Sequence, residues 1–470
     1  MVICLSISCA RGCNAFSPVH ASRRRGCAVL AAELPKVTAI AAKLRAVHPG
    51  PGLPPVIRAS QLDLRSKVVT APAASPVQVV DVDTGEYLGW GLWNPHTHQF
   101  RVRVLEAGQH IASKTIADVS DALDRRIIAA ARLRRSILGF PSEETNVFRL
   151  VNREGDHLSG LAVDVLGQDL VVRSSSLWVE IHRALIEKSL RASWQFSGRL
   201  LWQREADSLV QDGFKAYFNE NPSAESSAAS SPVLVRECGV RFAVDPGQGK
   251  KTGHFADQRE NRHRLRELVQ AMVHARSNSN TLNGQGLPLR ILDLFCYSGG
   301  FALNAAMGAS GHQVHVIAVD MAESAVNEAE RNIVENGVTD IVKVVHANAF
   351  TFLQDEAKAG NSYDIVVCDP PRASYGSSWS QDELKNTIGY HRRVTRRCLQ
   401  VMRKGSILVT CTCSQVMTEA RTLLLAVMQA AATEGRTLRL LHRTGCGGDH
   451  PLHPAWRPGG HLEVLWLEVD

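Results

Sequence analysis

The sequence predicts an α/β fold whose C-terminal part is a doubly wound sheet, with a small β-rich unit upstream. Three observations predict it. After about residue 290, short apolar strand-like runs alternate with helical patterns, the rhythm of strands joined by crossover helices. Residues 36–110 combine Pro- and Gly-rich turns with alternating runs, such as Val77-Gln78-Val79-Val80-Asp81-Val82 and Gln99 through Leu105. The chain has 470 residues, more than one core normally fills, so two or three domains are expected.

Composition narrows the class. The apolar share of 44% and charged share of 21% are those of a soluble globular protein. No apolar run approaches the roughly 20 residues that span a bilayer, so no membrane partner is expected. The net charge is +7, of which residues 1–35 hold +3, from four Arg against one Glu. A modest positive balance permits nucleic-acid binding without establishing it. The 11 Cys are scattered, with Cys4, Cys9, Cys13 and Cys27 near the start, and no two CxxC elements occur. Neither a zinc framework nor a disulfide scaffold is expected, and no metal is assigned.

The first acidic residue is Glu33, after a Ser-rich start and the Arg23–Arg25 run. Acid-poor, Arg- and Ser-rich starts are typical of organelle transit peptides. The apolar Val2 to Ser8, followed by Asn14-Ala15-Phe16-Ser17-Pro18, is similar to the two-part leaders of algae with complex plastids. Residues 1–35 are read as a targeting segment, plastid ahead of mitochondrion. Ile116 to Leu138 reads as a helix bearing Arg125, Arg126, Arg132, Arg134 and Arg135. Strands and turns alternate over 147–175. Residues 205–232 read as a polar linker or surface insertion, and 275–288 as a second polar interruption.

The first strand of the doubly wound part is Ile291-Leu292-Asp293-Leu294-Phe295, followed by Cys296-Tyr297-Ser298-Gly299-Gly300 and a helix from near Phe301. Small residues there let a ligand approach the backbone at a helix N-terminus. The second strand ends in Asp320, where a carboxylate can accept both hydroxyls of a ribose. GxGxxG is absent, which counts against a nicotinamide dinucleotide. The third strand leads to Asn348, whose carbonyl oxygen can accept an adenine amino group. Each residue alone reads as a turn or cap. Together and in order they read as an S-adenosyl-L-methionine site.

The fourth strand, Asp364 to Cys368, runs into Asp369-Pro370-Pro371-Arg372, a stiff loop where α/β proteins place their chemistry. Asp369 can there hydrogen-bond a base edge or a developing amine. Enzymes that methylate exocyclic amines usually carry an aromatic residue after such a Pro pair, and Arg372 argues against that chemistry. The fifth strand, Ser406 to Thr410, runs into Cys411-Thr412-Cys413-Ser414. A thiolate there can add to C6 of a pyrimidine and make C5 nucleophilic. Cys413 is the candidate, and Cys411 reads as a buried strand thiol.

These residues carry a resemblance. Gly91-Leu92-Trp93-Asn94-Pro95, Asn152-Arg153-Glu154-Gly155-Asp156, Lys251 through Asn261, Asp293 to Gly300, Asp369-Pro370-Pro371, Thr412-Cys413-Ser414 and Asp449-His450-Pro451 appear in order. In them the chain from about 75 to 470 resembles the bacterial large-subunit ribosomal RNA cytosine-C5 methyltransferases with an N-terminal PUA domain. The resemblance implies a PUA-like RNA-binding unit over 36–112, a central mixed α/β domain over 113–235, and a Rossmann-like methyltransferase domain over 236–470. It implies Cys413 as nucleophile with Asp369 as second catalytic residue. It also suggests that Lys251 to Arg259 lines the cofactor pocket, so that with the strand-end residues the expected cofactor site is Gln258, Arg259, Phe295, Tyr297, Ser298, Gly299, Gly300, Asp320, Asn348, Asp369 and Pro370.

Ribosomal RNA is the implied partner. Relatives often form homodimers, though no feature of this sequence shows one. Where the family opens with Gly-His-Pro-Trp this chain has Val47-His48-Pro49-Gly50, and Asn348 replaces an acidic residue. Arg372 and His461-Leu462-Glu463 are similar to the uracil-C5 methyltransferases, in which a late Glu removes the C5 proton. Glu463 is otherwise read as a surface strand residue. A PUA-bearing assembly factor without catalysis is the third reading. His391, Arg392, Arg393, Arg396 and Arg397 are expected as phosphate contacts or as a solvated helix face. Trp90, Trp93 and Tyr375 are the aromatics to inspect.

Overall fold

A computed structural model describes residues 35–39, 53–63, 70–97, 99–108, 118–222, 231–246, 252–278, 288–309, 313–372, 381–456 and 460–470. Residues 1–34 of the leader, Val47-His48-Pro49-Gly50, Lys251 and Tyr375 lie outside them.

The N-terminal sheet has five strands in the order β1-β3-β4-β5-β2: β1 Lys36–Ala39, β2 Val56–Ile57, β3 Pro76–Asp81, β4 Tyr87–Trp93 and β5 Val102–Ala107. The alternation in β3 is that of a half-buried strand, with Val77 and Val79 inward. Trp93 packs in this sheet's own core. Trp90 faces the next layer, its Nε1 donating to Glu106 at 2.8 Å. Both indoles are 4% exposed, so neither is a stacking platform.

The helix α1, Val119–Arg132, is capped by Asp118 and extended by a wider turn over Leu133–Ile137. It packs on a four-stranded sheet, β6 Val147–Asn152, β7 Leu161–Leu166, β8 Asp169–Ser174 and β9 Leu200–Arg204. The stretch read as a polar linker from 205 contains two short helices, Ala206–Gln211 and Phe214–Phe218. Leu209 and Phe214 are fully buried and Asp212 takes the Arg103 guanidinium, so this part is packed structure. The hairpin β10 Val233–Glu237 and β11 Val240–Val244 leads into the last unit.

There seven strands run β14-β13-β12-β15-β16-β18-β17: β12 Leu289–Leu294, β13 Val314–Asp320, β14 Val342–His346, β15 Tyr363–Cys368, β16 Met402–Thr412, β17 Leu438–Thr444 and β18 Glu463–Val469. The first five in chain order are parallel; β18 runs against β16 and β17. Strand order reverses between β12 and β15, the switch point at which such sheets bind ligands. One face packs on helices Arg259–Asn278 and Gly300–Met307, the other on Gln381–Gln400 and Leu423–Thr433. No helix among the described residues is long and apolar enough to cross a membrane.

Candidate active site

The register brings the proposed residues to one edge. Leu294 pairs with both Val319 and Cys368, and Cys368 with Thr410. The ends of β13, β12 and β15 are therefore level to within a residue, at about 4.8 Å spacing, and β16 runs two residues further, to Thr412. Asp320, Phe295 to Gly300, Asp369-Pro370 and Cys413 stand in that order across the switch point.

The turn after β12 is built for close approach. Phe295, Tyr297 and Gly299 have φ of +61°, +49° and +79°. For the two non-glycines this strain costs on the order of 1–3 kcal/mol each, held by the surroundings. Asp320 holds the turn: its Oδ2 accepts from Tyr297 N at 3.0 Å and its Oδ1 from Ala322 N at 2.9 Å. A Cβ on Gly300 would stand 2.7 Å from Arg262 Cδ. Ser298 is buried, and its carbonyl accepts from Asn332.

Beneath the turn lies Asp293, 1% exposed, whose Oδ2 accepts from Ala302 N at 2.9 Å. Burial, then the facing Asp369 and Asp320, push its carboxyl up to about 8 despite that N–H. Glu328 lies against Tyr297 and is pushed up to about 7, first by burial. Sequence reasoning assigned no role to Asp293 or Glu328, although Asp293 opens the Asp293 to Gly300 motif. An edge of acidic side chains, Asp320 and Asp369 flanking a protonated Asp293, over a strained turn fits S-adenosylmethionine, whose sulfonium is a cation and whose ribose needs acceptors.

Gln258 joins the two halves of the site. It sits on the short turn Ala256–Gln258, 4% exposed, and its Nε2 donates to Asp369 Oδ2 at 2.9 Å. Its Oε1 accepts from Asn261 at 2.8 Å. The same side chain reaches the Cys411 thiol, which burial and then Asp369 push well up. Cys411 is thus the buried, protonated thiol of the pair. Cys413 follows the last residue of β16, is partly exposed, and precedes Ser414, whose N–H donates to Thr412 Oγ1 at 3.2 Å.

Four expectations are corrected. Arg259 does not line the cofactor cradle: its guanidinium forks onto Asp449 at 2.7 and 3.1 Å and lies over the Phe140 ring. Asn348 is exposed, and its Oδ1 caps the helix Ala349–Lys358 by accepting from Phe350 N (2.9 Å) and Thr351 N (3.4 Å). It does the work of a helix cap. Glu463 is 8% exposed, not a surface residue. It pairs with Thr412, whose hydroxyl meets Met417 on the sheet face opposite Cys411, and its Oε1 stands 3.4 Å from Arg443. His391 is buried and pushed down to about 4 by that burial, so it is no cation at neutral pH. Arg392, Arg393 and Arg396 are the exposed residues of that pattern, and Arg396 is paired with Glu434.

A polar cavity of about 220 Å³ opens beside Gln415, two residues past Cys413. Its lining joins Phe100 and Arg103 of the N-terminal unit, Arg153 of the central unit and Trp456. Sequence reasoning passed over Phe100 and Trp456, which meet edge to face at 6.4 Å.

The fold and this edge define a class: the protein is a Rossmann-like, S-adenosylmethionine-dependent methyltransferase. Residues 288–445 match the family model described as a methyltransferase domain. A ribosomal RNA large subunit methyltransferase from Deinococcus radiodurans is 28% identical over 394 residues, covering 82% of this chain and 86% of that one. The ribosomal RNA large subunit methyltransferase I of Shewanella denitrificans is 27% identical over 401 residues, 84% of this chain and 91% of its own. A solved methyltransferase complexed with SAH superimposes with a TM-score of 0.70 at 17% identity, over 93% of this chain and all of that one. A SAM-dependent methyltransferase from Streptococcus mutans gives 0.68 with the same coverage, also at 17% identity. These two likenesses speak for the fold.

Proposed function

We propose that this chain forms 5-methylcytosine in large-subunit ribosomal RNA, with Cys413 as the covalent nucleophile. The observation that carries the reading is the placement of Cys413 at the carboxyl end of β16, one strand from the Asp369-Pro370-Pro371 loop at the switch point. The names of the relatives support ribosomal RNA as the substrate class.

The Cys413 thiolate adds to C6 of the ring, which makes C5 a carbon nucleophile. S-adenosylmethionine supplies, when bound, an electrophilic methyl group. C5 takes that methyl group, the C5 proton passes to water, and the C6–S bond breaks to return the Cys413 thiolate and the ring's aromaticity. Asp369 accepts hydrogen bonds, which suits the N4 amino donor of cytosine; uracil presents an acceptor there. Gln258 holds Asp369 in place. The five-stranded unit acts as a PUA-like RNA-binding module, and the cavity of Phe100, Arg103, Arg153 and Trp456 takes RNA next to the target base. The acid-poor start supports a plastid address.

The test incubates the chain from residue 36 with unmodified organellar ribosomal RNA and labelled S-adenosylmethionine, then identifies the labelled nucleoside. 5-Methylcytidine is expected. Ribothymidine would transfer the reading to uracil, and absence of label despite bound cofactor would leave an RNA-binding assembly factor. Cys413→Ala is expected to abolish turnover while cofactor still binds. Full turnover in that variant would remove the covalent mechanism.

A further inference from the structure

Beside the turn that carries Gln258, three chain-distant side chains bring their donor atoms together. Asp257 lies on the turn Ala256–Gln258, Cys446 two residues after β17, and His461 two residues before β18. His461 Nε2 stands 3.0 Å from Asp257 Oδ2 and 3.9 Å from Cys446 Sγ, and the three atoms lie within 4.8 Å of one another. Both contacts use the same ring nitrogen. One nitrogen carries at most one proton and donates it in one direction, so no tautomer serves both partners well. The arrangement does not make a Cys–His–Asp relay either, because a relay uses both ring nitrogens.

Convergence on a single point is instead what a metal ion requires. Bond lengths of about 2.0–2.3 Å in a tetrahedral zinc site place ligand atoms roughly 3.3–3.7 Å apart. The two measured separations lie either side of that range. A thiolate, an imidazole and a carboxylate together select a borderline-soft divalent ion over magnesium or calcium. Asp257 is buried, whereas the His461 side chain is 33% exposed, which gives the ion a way in.

We propose that Asp257, Cys446 and His461 form a binding site for a zinc-class divalent cation, with the fourth position left to solvent. The site goes beyond methyl transfer and acts on it through the chain. The loop bearing Cys446 is already docked, with Gly447 N donating to Asp257 O at 3.2 Å and Asn261 Nδ2 to Gly445 O at 3.0 Å. A bound cation ties that loop and the entry of β18 to the turn carrying Gln258, the residue that holds Asp369. It is a clip that fixes a positioning residue.

The experiment uses the full chain without an affinity tag, stripped with chelator and titrated with cobalt(II). Tetrahedral d–d bands and a thiolate-to-cobalt charge-transfer band are expected, saturating at one equivalent. Both are expected to vanish in Cys446→Ser and His461→Asn and to persist in Cys413→Ala. Zinc(II) is expected to displace the cobalt and raise the unfolding midpoint of the native chain but not of Cys446→Ser. No thiolate band in the native chain, or a band unchanged in Cys446→Ser, would overturn the proposal and leave a carboxylate–imidazole pair beside a thiol. Because the readout is spectroscopic, its outcome is independent of which nucleoside is methylated.

Discussion

Asp293 offers a test of the site's electrostatics that needs no RNA. Its carboxyl is held at about 8, far above its ordinary 3.8, so across that interval the folded chain keeps a proton that the unfolded chain has lost. The sign follows: this stabilisation is complete below 3.8 and declines as pH rises toward 8. One proton's difference makes the slope about 1.4 kcal/mol per pH unit, or about 2.7 kcal/mol between pH 5 and 7. Asp293→Asn keeps an oxygen to accept from Ala302 N and has no proton to lose. Urea unfolding at pH 5, 6 and 7 is therefore expected to show the native chain losing about 2.7 kcal/mol more than the variant over this window. Parallel curves would mean that Asp293 is already ionised in the folded chain, so that burial and its acidic neighbours do not hold its proton. A cation bound at this edge favours the ionised form. S-Adenosylmethionine binding near pH 7 should then release a proton from the native chain and none from the variant, read as calorimetric heats in buffers of different ionisation enthalpy.

Three further outcomes are expected. Gln258→Ala removes the donor to Asp369, worth about 1.5–3 kcal/mol for a bond to a charged group, so kcat/KM should fall roughly 10- to 100-fold. Added to Asp369→Asn it should cost little more, and full additivity would show that the two act separately. Asp449→Ala strands the Arg259 guanidinium, 2% exposed, and should lower unfolding stability by about 3–5 kcal/mol, measured in urea; a loss below about 1 kcal/mol would remove the structural role argued for that pair. Arg392→Ala with Arg393→Ala should make the logarithmic salt dependence of RNA binding shallower, by about 0.7–0.9 for each phosphate no longer neutralised. His391→Gln should not change that slope, and an unchanged slope in the double Arg variant would turn this helix face away from RNA.

What was legible follows the physics of each feature. Strand and turn signals are local, so the run from Ile291 to Gly300, the strand ending at Asp320 and the strands leading to Asp369 and Cys413 could be placed from the sequence. Their arrival at one edge follows from parallel strands sharing a register. Whether a polar side chain faces a ligand or the chain itself is not a local property. Asn348 has the right chemistry for an adenine and spends its oxygen on the helix it begins. Glu463 looks like an exposed strand end until β17 and β16 close on either side of it. The packing around 205–218 was hidden because Asp212 and Phe214 find their partners about a hundred residues upstream and among neighbouring core residues.

Arg259 shows what the most distinctive motifs build. Asp449 takes the forked guanidinium of Arg259 and the backbone N–H of Arg149, while Arg134 donates to its carbonyl and forks onto Asp156 at 2.7 and 2.8 Å. Asp164 similarly binds Arg149 and the Thr252 hydroxyl. The stretches Asn152 to Asp156, Thr252 to Asn261 and Asp449 to Pro451 therefore meet in one buried ionic network between the four-stranded sheet and the methyltransferase sheet. Ionic groups buried this deeply stabilise little over an apolar seam, but they tolerate no other register, because removing one partner leaves a charge out of water. That intolerance is what the site needs. Gln258 lies one residue from Arg259, so the network that aligns the two units also sets the distance from the Gln258 amide to Asp369 and Cys411.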